Sequence, residues 1–283
     1  MLAAKLAFDT LILPALAFGA TFWILRKLAG NSPWLISLAP AAALAAGYLV
    51  GHYRIAGLPP FPPVHTTGWL FYLVGLAAVT AAARMWKPAR IGGLIFLLLV
   101  ATLKPMWTYH WEFGQSALWL AGLWVALFLV WRAADRLGAV EEGSLLPWAF
   151  CWTALASGIV LALSATALLG QLSVILAICL ALLSLISAFL KTPSEGWIVV
   201  GITALAGLLL NGLFYAQLSG WHAALLALAV PAAWAARLPF AQRRGPRQSF
   251  AIGMLAVILA TAPPIADAGL SFLNEPDYDY DYD

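Results

Sequence analysis

The chain has 283 residues, 63% of them hydrophobic and only 10% charged, with a mean hydropathy of +0.90. Soluble domains are about 45–50% apolar and about 25% charged, so this composition excludes a water-soluble globular fold, a disordered chain and a disulfide-built secreted domain. A dispersed net charge of +3 from 15 basic and 12 acidic residues excludes a nucleic-acid binder, which needs its basic residues gathered on one face.

About 20 apolar residues carry a helix across a bilayer core. Ten segments qualify: 6–25, 33–53, 67–84, 91–109, 116–132, 146–169, 171–190, 194–216, 220–236 and 249–269. The predicted fold is an all-α polytopic membrane protein with about ten transmembrane helices, forming one domain over 1–269. In the first segment Ala15-Leu16-Ala17 resembles a signal cleavage site. Asp9 interrupts the apolar core before it, and Arg26 and Lys27 lie on the wrong side for export, so the segment reads as a retained span. Ser32-Pro33 starts the second helix as a cap followed by proline at the first helical position. The Ala41–Gly47 run of small residues predicts close helix packing. Ser116 and Ser249 are candidate caps for the fifth and tenth helices, and Thr192-Pro193-Ser194-Glu195 reads as a capping box. The sixth and seventh segments, separated only around Gly170, must form a hairpin. That hairpin would place Cys151 and Cys179 at depths differing by roughly 15 Å, as free buried thiols. The longest loops, 54–66, 133–145 and 237–248, hold no soluble domain. Residues 270–283 form an acidic Asp/Tyr tail that reads as disordered.

Basic residues sort between alternate loops. Arg26, Lys27, Arg84, Lys87, Arg90, Arg132, Arg136, Lys191, Arg237, Arg243, Arg244 and Arg247 share one side; Lys5, Arg54 and Lys104 fall on the other. Positive loops stay in the cytoplasm. Both termini then lie outside, in a cell membrane of the bacterial inner-membrane type. Trp107, Trp111, Trp119 and Trp221 would anchor the outer interface, and Trp23, Trp34, Trp86, Trp148 and Trp197 the inner one.

The polar residues that could form a site collect at the outer side. His52, His65, His110 and His222 all fall there, with Asp9, Arg54, Lys104, Glu112 and Asp267 near the same level. Three readings follow: separate interfacial histidines, an outward-facing solute site, or a metal or haem site drawn from His52, His65, His110, Glu112 and His222. No pair has the i, i+3 or i, i+4 spacing that puts two ligands on one helical face. Lys104 stands about one turn below the outer interface. A lysine at mid-bilayer costs roughly 2.5–3.5 kcal/mol, so it must snorkel to water or pair, with Asp9 or Asp267 as candidates. Pro105 beside Lys104, and Pro263-Pro264 just before Asp267, predict broken helices like those of transporters; Pro14, Pro40 and Pro231 predict further breaks. Asn211 is the only amide deep in the layer, read as an interhelical hydrogen bond or a ligand. The solute-site candidates are thus Lys104, Asp267, Asp9, His110, His222 and Asn211.

Ten spans divide as five plus five, with halves 1–135 and 136–269, and an odd half gives an inverted repeat. Gly68-Trp69 echoes Gly196-Trp197, and Gln115-Ser116 echoes Gln248-Ser249. In size and in this count the chain resembles the drug/metabolite transporter superfamily. The resemblance is architectural, carries no motif, and implies cytoplasmic termini, opposite to the orientation read here.

Three functions fit. The first is a transporter-like permease for a small or partly apolar solute. The second is a non-catalytic membrane subunit or scaffold, in contact with lipid and with protein partners or copies of itself. The third is a membrane redox or metal protein using the outer histidines. No cofactor is clearly implied, and no HExxH, CxxC, CxxCH, nucleophile elbow or phosphate loop marks an enzyme.

Overall fold

The computed structural model describes residues 2–83, 87–140, 143–164, 166–190 and 195–274. Arg84, Trp86, Glu141, Glu142, Lys191, most of the Thr192–Glu195 capping box and the acidic tail from Glu275 onward lie outside the described residues.

The protein is an all-helical bundle with no strand among the described residues. In lipid every backbone N–H and C=O must be satisfied within the protein, and a helix does this without a partner. The helices in chain order are as follows. α1 comprises Leu2–Ala7, a π-helical turn Phe8–Ile12, and Leu13–Ala29. α2 is Pro33–Ala56, α3 Thr66–Ala82, α4 Lys87–Tyr109 and α5 Phe113–Val140. α6 is Leu145–Leu163, α7 Ala167–Leu190 and α8 Glu195–Tyr215. α9 is Gly220–Ala232, continued by a 3-10 stretch Ala233–Arg237; α10 is the short Pro239–Gln242 and α11 is Pro246–Leu273.

Eight of these are long and apolar enough to cross a membrane. α3, at 17 residues, is shorter, and α9 has 13 before its 3-10 continuation. The protein is therefore a multi-pass integral membrane protein, and its outer helical faces meet lipid.

α8 is the central post. Of the residues in its 18-residue apolar window, 89% are buried, against 17% for α5 and 22% for α11. It packs against seven others, α2 through α7 and α9. Trp197 sits at its start with 1% of its surface exposed, edge-on to Phe150 at 5.4 Å. It is a core residue, which corrects its expected role as an interface anchor.

Several sequence expectations move. The α6–α7 hairpin turns between Leu163 and Ala167, so Gly170 lies inside α7. A Cβ there would meet the Gly158 carbonyl oxygen at 3.0 Å and the Ala162 Cα at 3.1 Å. This glycine permits helix contact, not a turn. With the turn shifted, Cys151 and Cys179 stand equally far from it, so the expected depth difference disappears. Both thiols remain free and buried, and Cys151 Sγ lies 3.3 Å from the Ala177 carbonyl oxygen.

The prolines meet expectation in part. α4 runs unbroken through Pro105, α11 through Pro263-Pro264 and α2 through Pro40. Irregular backbone does appear at Pro14 and Pro231, where the sequence also predicts breaks. Proline has no N–H to return to residue i−4. Upstream of Pro14 the chain answers with a π turn, in which Leu13 N–H donates to the Phe8 carbonyl. After Pro231 it tightens, and Ala233 N–H donates to the Val230 and Pro231 carbonyls.

Ser116 and Ser249 lie inside α5 and α11, where they bond the carbonyls of Glu112 and Ala236 rather than capping. Ser219 is a true cap: its hydroxyl accepts from His222 N–H. α5 runs past residue 135 to Val140, so any division into halves falls after it. α11 runs to Leu273, so residues 270–273 of the expected tail are helical.

Candidate functional site: a groove at the histidine end

The histidines sit at one end of the bundle, where α2, α4 and α8 finish and α3, α5 and α9 begin. Side-chain hydrogen bonds tie these ends together. Thr66 Oγ1 at the start of α3 donates to Asn211 Oδ1 of α8 at 2.6 Å, and Asn211 Nδ2 donates to the Gly207 carbonyl at 2.8 Å. His52 Nε2–H of α2 donates to the Thr67 carbonyl at 3.3 Å. Tyr215 OH of α8 donates to the Thr102 carbonyl of α4 at 2.7 Å.

The polar residues named from the sequence meet in pairs. Asp9, in the π turn, accepts two bonds on Oδ1 from Arg54, at 3.0 Å from Nε and 2.6 Å from Nη2. His222 Nε2 lies 3.0 Å from Asp267 Oδ2, an approach by proximity without hydrogen-bond alignment, which couples α9 to α11. Asn211 is buried in its bond to Thr66. His65, His110 and Glu112 are exposed. Among the described residues, no group of three or more His, Cys, Asp or Glu side chains comes together.

Lys104 meets neither Asp9 nor Asp267, since those acids face Arg54 and His222. It stands in a groove between α3 and α4. Trp69, Tyr72, Leu73 and Leu76 line one wall at i, i+3, i+4, i+7 spacing, and Leu97, Val100, Ala101 and Lys104 line the other at the same spacing. That spacing puts four side chains on one helical face. This chamber holds about 580 Å³. A second, of about 280 Å³, adjoins it and shares Trp69, Ala101 and Lys104. The second is bounded by Thr66, Pro105, Thr108 and Tyr109, so hydroxyls face it where the first presents hydrocarbon and rings.

The proline-rich loop closes the top. Tyr72 OH donates to the Pro59 carbonyl at 2.7 Å, and the Phe61 ring rests edge-on against Tyr72 at 5.4 Å. A wholly apolar cavity of about 260 Å³ lies elsewhere, among Leu123, Leu127, Ala206, Leu210, Ala223 and Ala227.

Sequence reasoning singled out Lys104 and Asn211 but not Thr66, which touches both settings, nor the wall residues. The repeated i, i+3, i+4, i+7 pattern on two consecutive helices was the available signal. Thr66→Val should remove the one side-chain bond joining α3 to Asn211. Interhelical hydrogen bonds in membranes average about 0.6 kcal/mol. The expected result is a small but measurable fall in melting temperature in detergent, and an unchanged value would show that the bond carries no stability.

No family model, no curated protein and no solved structure matches the chain.

Proposed function

We propose that this protein is a permease-like membrane protein for a small, partly apolar solute, with its site toward the extracytoplasmic face. The observation that carries the reading is the groove. Ligand sites are concave, mostly apolar cavities of about 300–1,000 Å³ with a few polar groups for orientation, and the larger Lys104 chamber fits that description. A partly apolar solute also suits a bundle in which buried hydroxyls such as those of Thr153, Ser184 and Thr203 are turned back onto carbonyls of their own helices.

In this reading α3 and α9 also cross, giving ten spans. The basic loops face the cytoplasm of a cell membrane, both termini lie outside, and α1–α5 and α6–α11 form an inverted pair. Its supports are the basic-residue distribution and the packing. α1–α2 and α6–α7, the opening hairpins of the two halves, make the two most extensive helix contacts. The corresponding helices α2 and α7, and likewise α3 and α8, pack against each other.

The test is uptake. Proteoliposomes carrying the purified chain, incubated with a mixed extract of cellular small molecules, should accumulate a solute that empty liposomes do not. No protein-dependent accumulation, with partner subunits co-purifying at fixed stoichiometry in native mass spectrometry, would replace this reading with that of a scaffold subunit.

A further inference from the structure

We infer that the groove between α3 and α4 binds a single-chain amphipath with a carboxylate head, the head at Lys104 and the tail along the α3 and α4 walls. This names a substrate class for the proposed permease and rests on that reading.

Three observations specify the occupant. The first is polarity order. The smaller chamber presents Thr66 and Thr108, the larger one presents Tyr72, Leu76, Leu97 and Val100, and Lys104 stands on the boundary. A molecule that fills both must be polar at one end and apolar at the other. The second is charge. Lys104 is the only Lys, Arg, His, Asp or Glu side chain bounding either chamber among the described residues, and none of the acids described here pairs with it. One ammonium, a compact point charge rather than a bidentate fork, matches a head with one negative charge. The third is width. Two helix faces border the larger chamber over the eight residues from Leu97 to Lys104, seven steps or about 10 Å at 1.5 Å per residue. One groove between two helices takes one chain, which disfavours a two-chain phospholipid. The walls bury the tail, and burial of apolar surface supplies the affinity, while Lys104 selects the head.

The experiment uses the full chain in nanodiscs of zwitterionic lipid and a palmitate carrying a photoactivatable diazirine on its chain. After irradiation, label should map to peptides holding 69–76 and 97–104. Unlabelled palmitate should compete, and methyl palmitate, which has the same tail and no charge, should not. Lys104→Gln should cut labelling about tenfold, equivalent to roughly 1.4 kcal/mol, while Lys104→Arg keeps most of it. Lys104 is exposed, and an unchanged size-exclusion profile will show that each variant folds. Equal labelling of Lys104→Gln, equal competition by the methyl ester, or label spread over the lipid-facing sides of α5 and α11 would each overturn the inference, the last pointing to bulk lipid. Uptake without groove labelling sinks this inference and leaves the permease reading standing. Groove labelling without uptake does the reverse.

Discussion

Gly47→Leu is expected to leave almost no folded protein. α2 crosses α1 and α7 at Gly47 and Gly51, one turn apart. A Cβ at Gly47 would fall 2.6 Å from Cys179 Sγ and 2.9 Å from the Pro14 carbonyl oxygen. The sulfur could turn aside, but the carbonyl belongs to backbone and cannot move alone. Overpacking of this kind costs about 1–3 kcal/mol for small additions, which is the expected cost of Gly47→Ala. Leucine adds three more carbons where there is no room for the first. Gly19 and Gly122 have nothing within 4 Å of an added Cβ, and Gly19→Ala and Gly122→Ala should be neutral or slightly stabilising, since alanine is the better helix former. Size-exclusion chromatography of detergent extracts reads all four. A monodisperse Gly47→Leu peak with an unchanged melting temperature would mean that the three helices do not meet as described.

Arg54→Leu should have the second largest effect. The Asp9 side chain is 11% exposed and Arg54 40% exposed. Removing the guanidinium leaves the Asp9 carboxylate nearly buried and uncompensated. Breaking a fully buried pair costs roughly 3–5 kcal/mol; because Arg54 is partly in water, about 2 kcal/mol is expected here. Asp9→Leu should cost less, since arginine can reach solvent along its apolar stem. The double variant Asp9→Leu/Arg54→Leu should recover much of the loss, because no charge is then stranded. Thermal unfolding of the three variants closes a double-mutant cycle. A double variant as unstable as the sum of the two single ones would show that the residues are uncoupled.

How far the amino-acid chain reveals this molecule depends on the range of the physics. Apolar runs long enough to cross a bilayer are local, and the helices lie where those runs lie. Gly170 and Pro105 misled because each residue type has two uses. Glycine marks a turn when the chain bends and a close approach when another helix arrives, and only the neighbour, here Gly158, distinguishes them. Proline removes one hydrogen bond. α4 absorbs that loss at Pro105, whereas α1 reorganises into a π turn before Pro14. Asp9 and Arg54 were legible as neighbours in depth, but 45 residues separate them and nothing local states that they meet. The groove hid for a different reason: its walls are the same leucines, valines and aromatics that cover any helix facing lipid. Only Lys104, expensive in that setting, betrayed it.

α3 has a consequence for the lipid itself. At 17 residues and 1.5 Å per residue it spans about 25 Å, some 5 Å less than a typical hydrocarbon core of about 30 Å. In the ten-span reading proposed above, where α3 crosses, the bilayer thins beside it at a cost of a fraction of a kcal/mol per ångström of hydrophobic mismatch. Thinning draws headgroups and water down the outside of α3, toward the level at which Lys104 projects from α4. In that reading the protein deforms its own solvent next to the groove. In that reading an amphipath leaving the leaflet at the histidine end would have less hydrocarbon to cross there than along the longer helices α5 and α11.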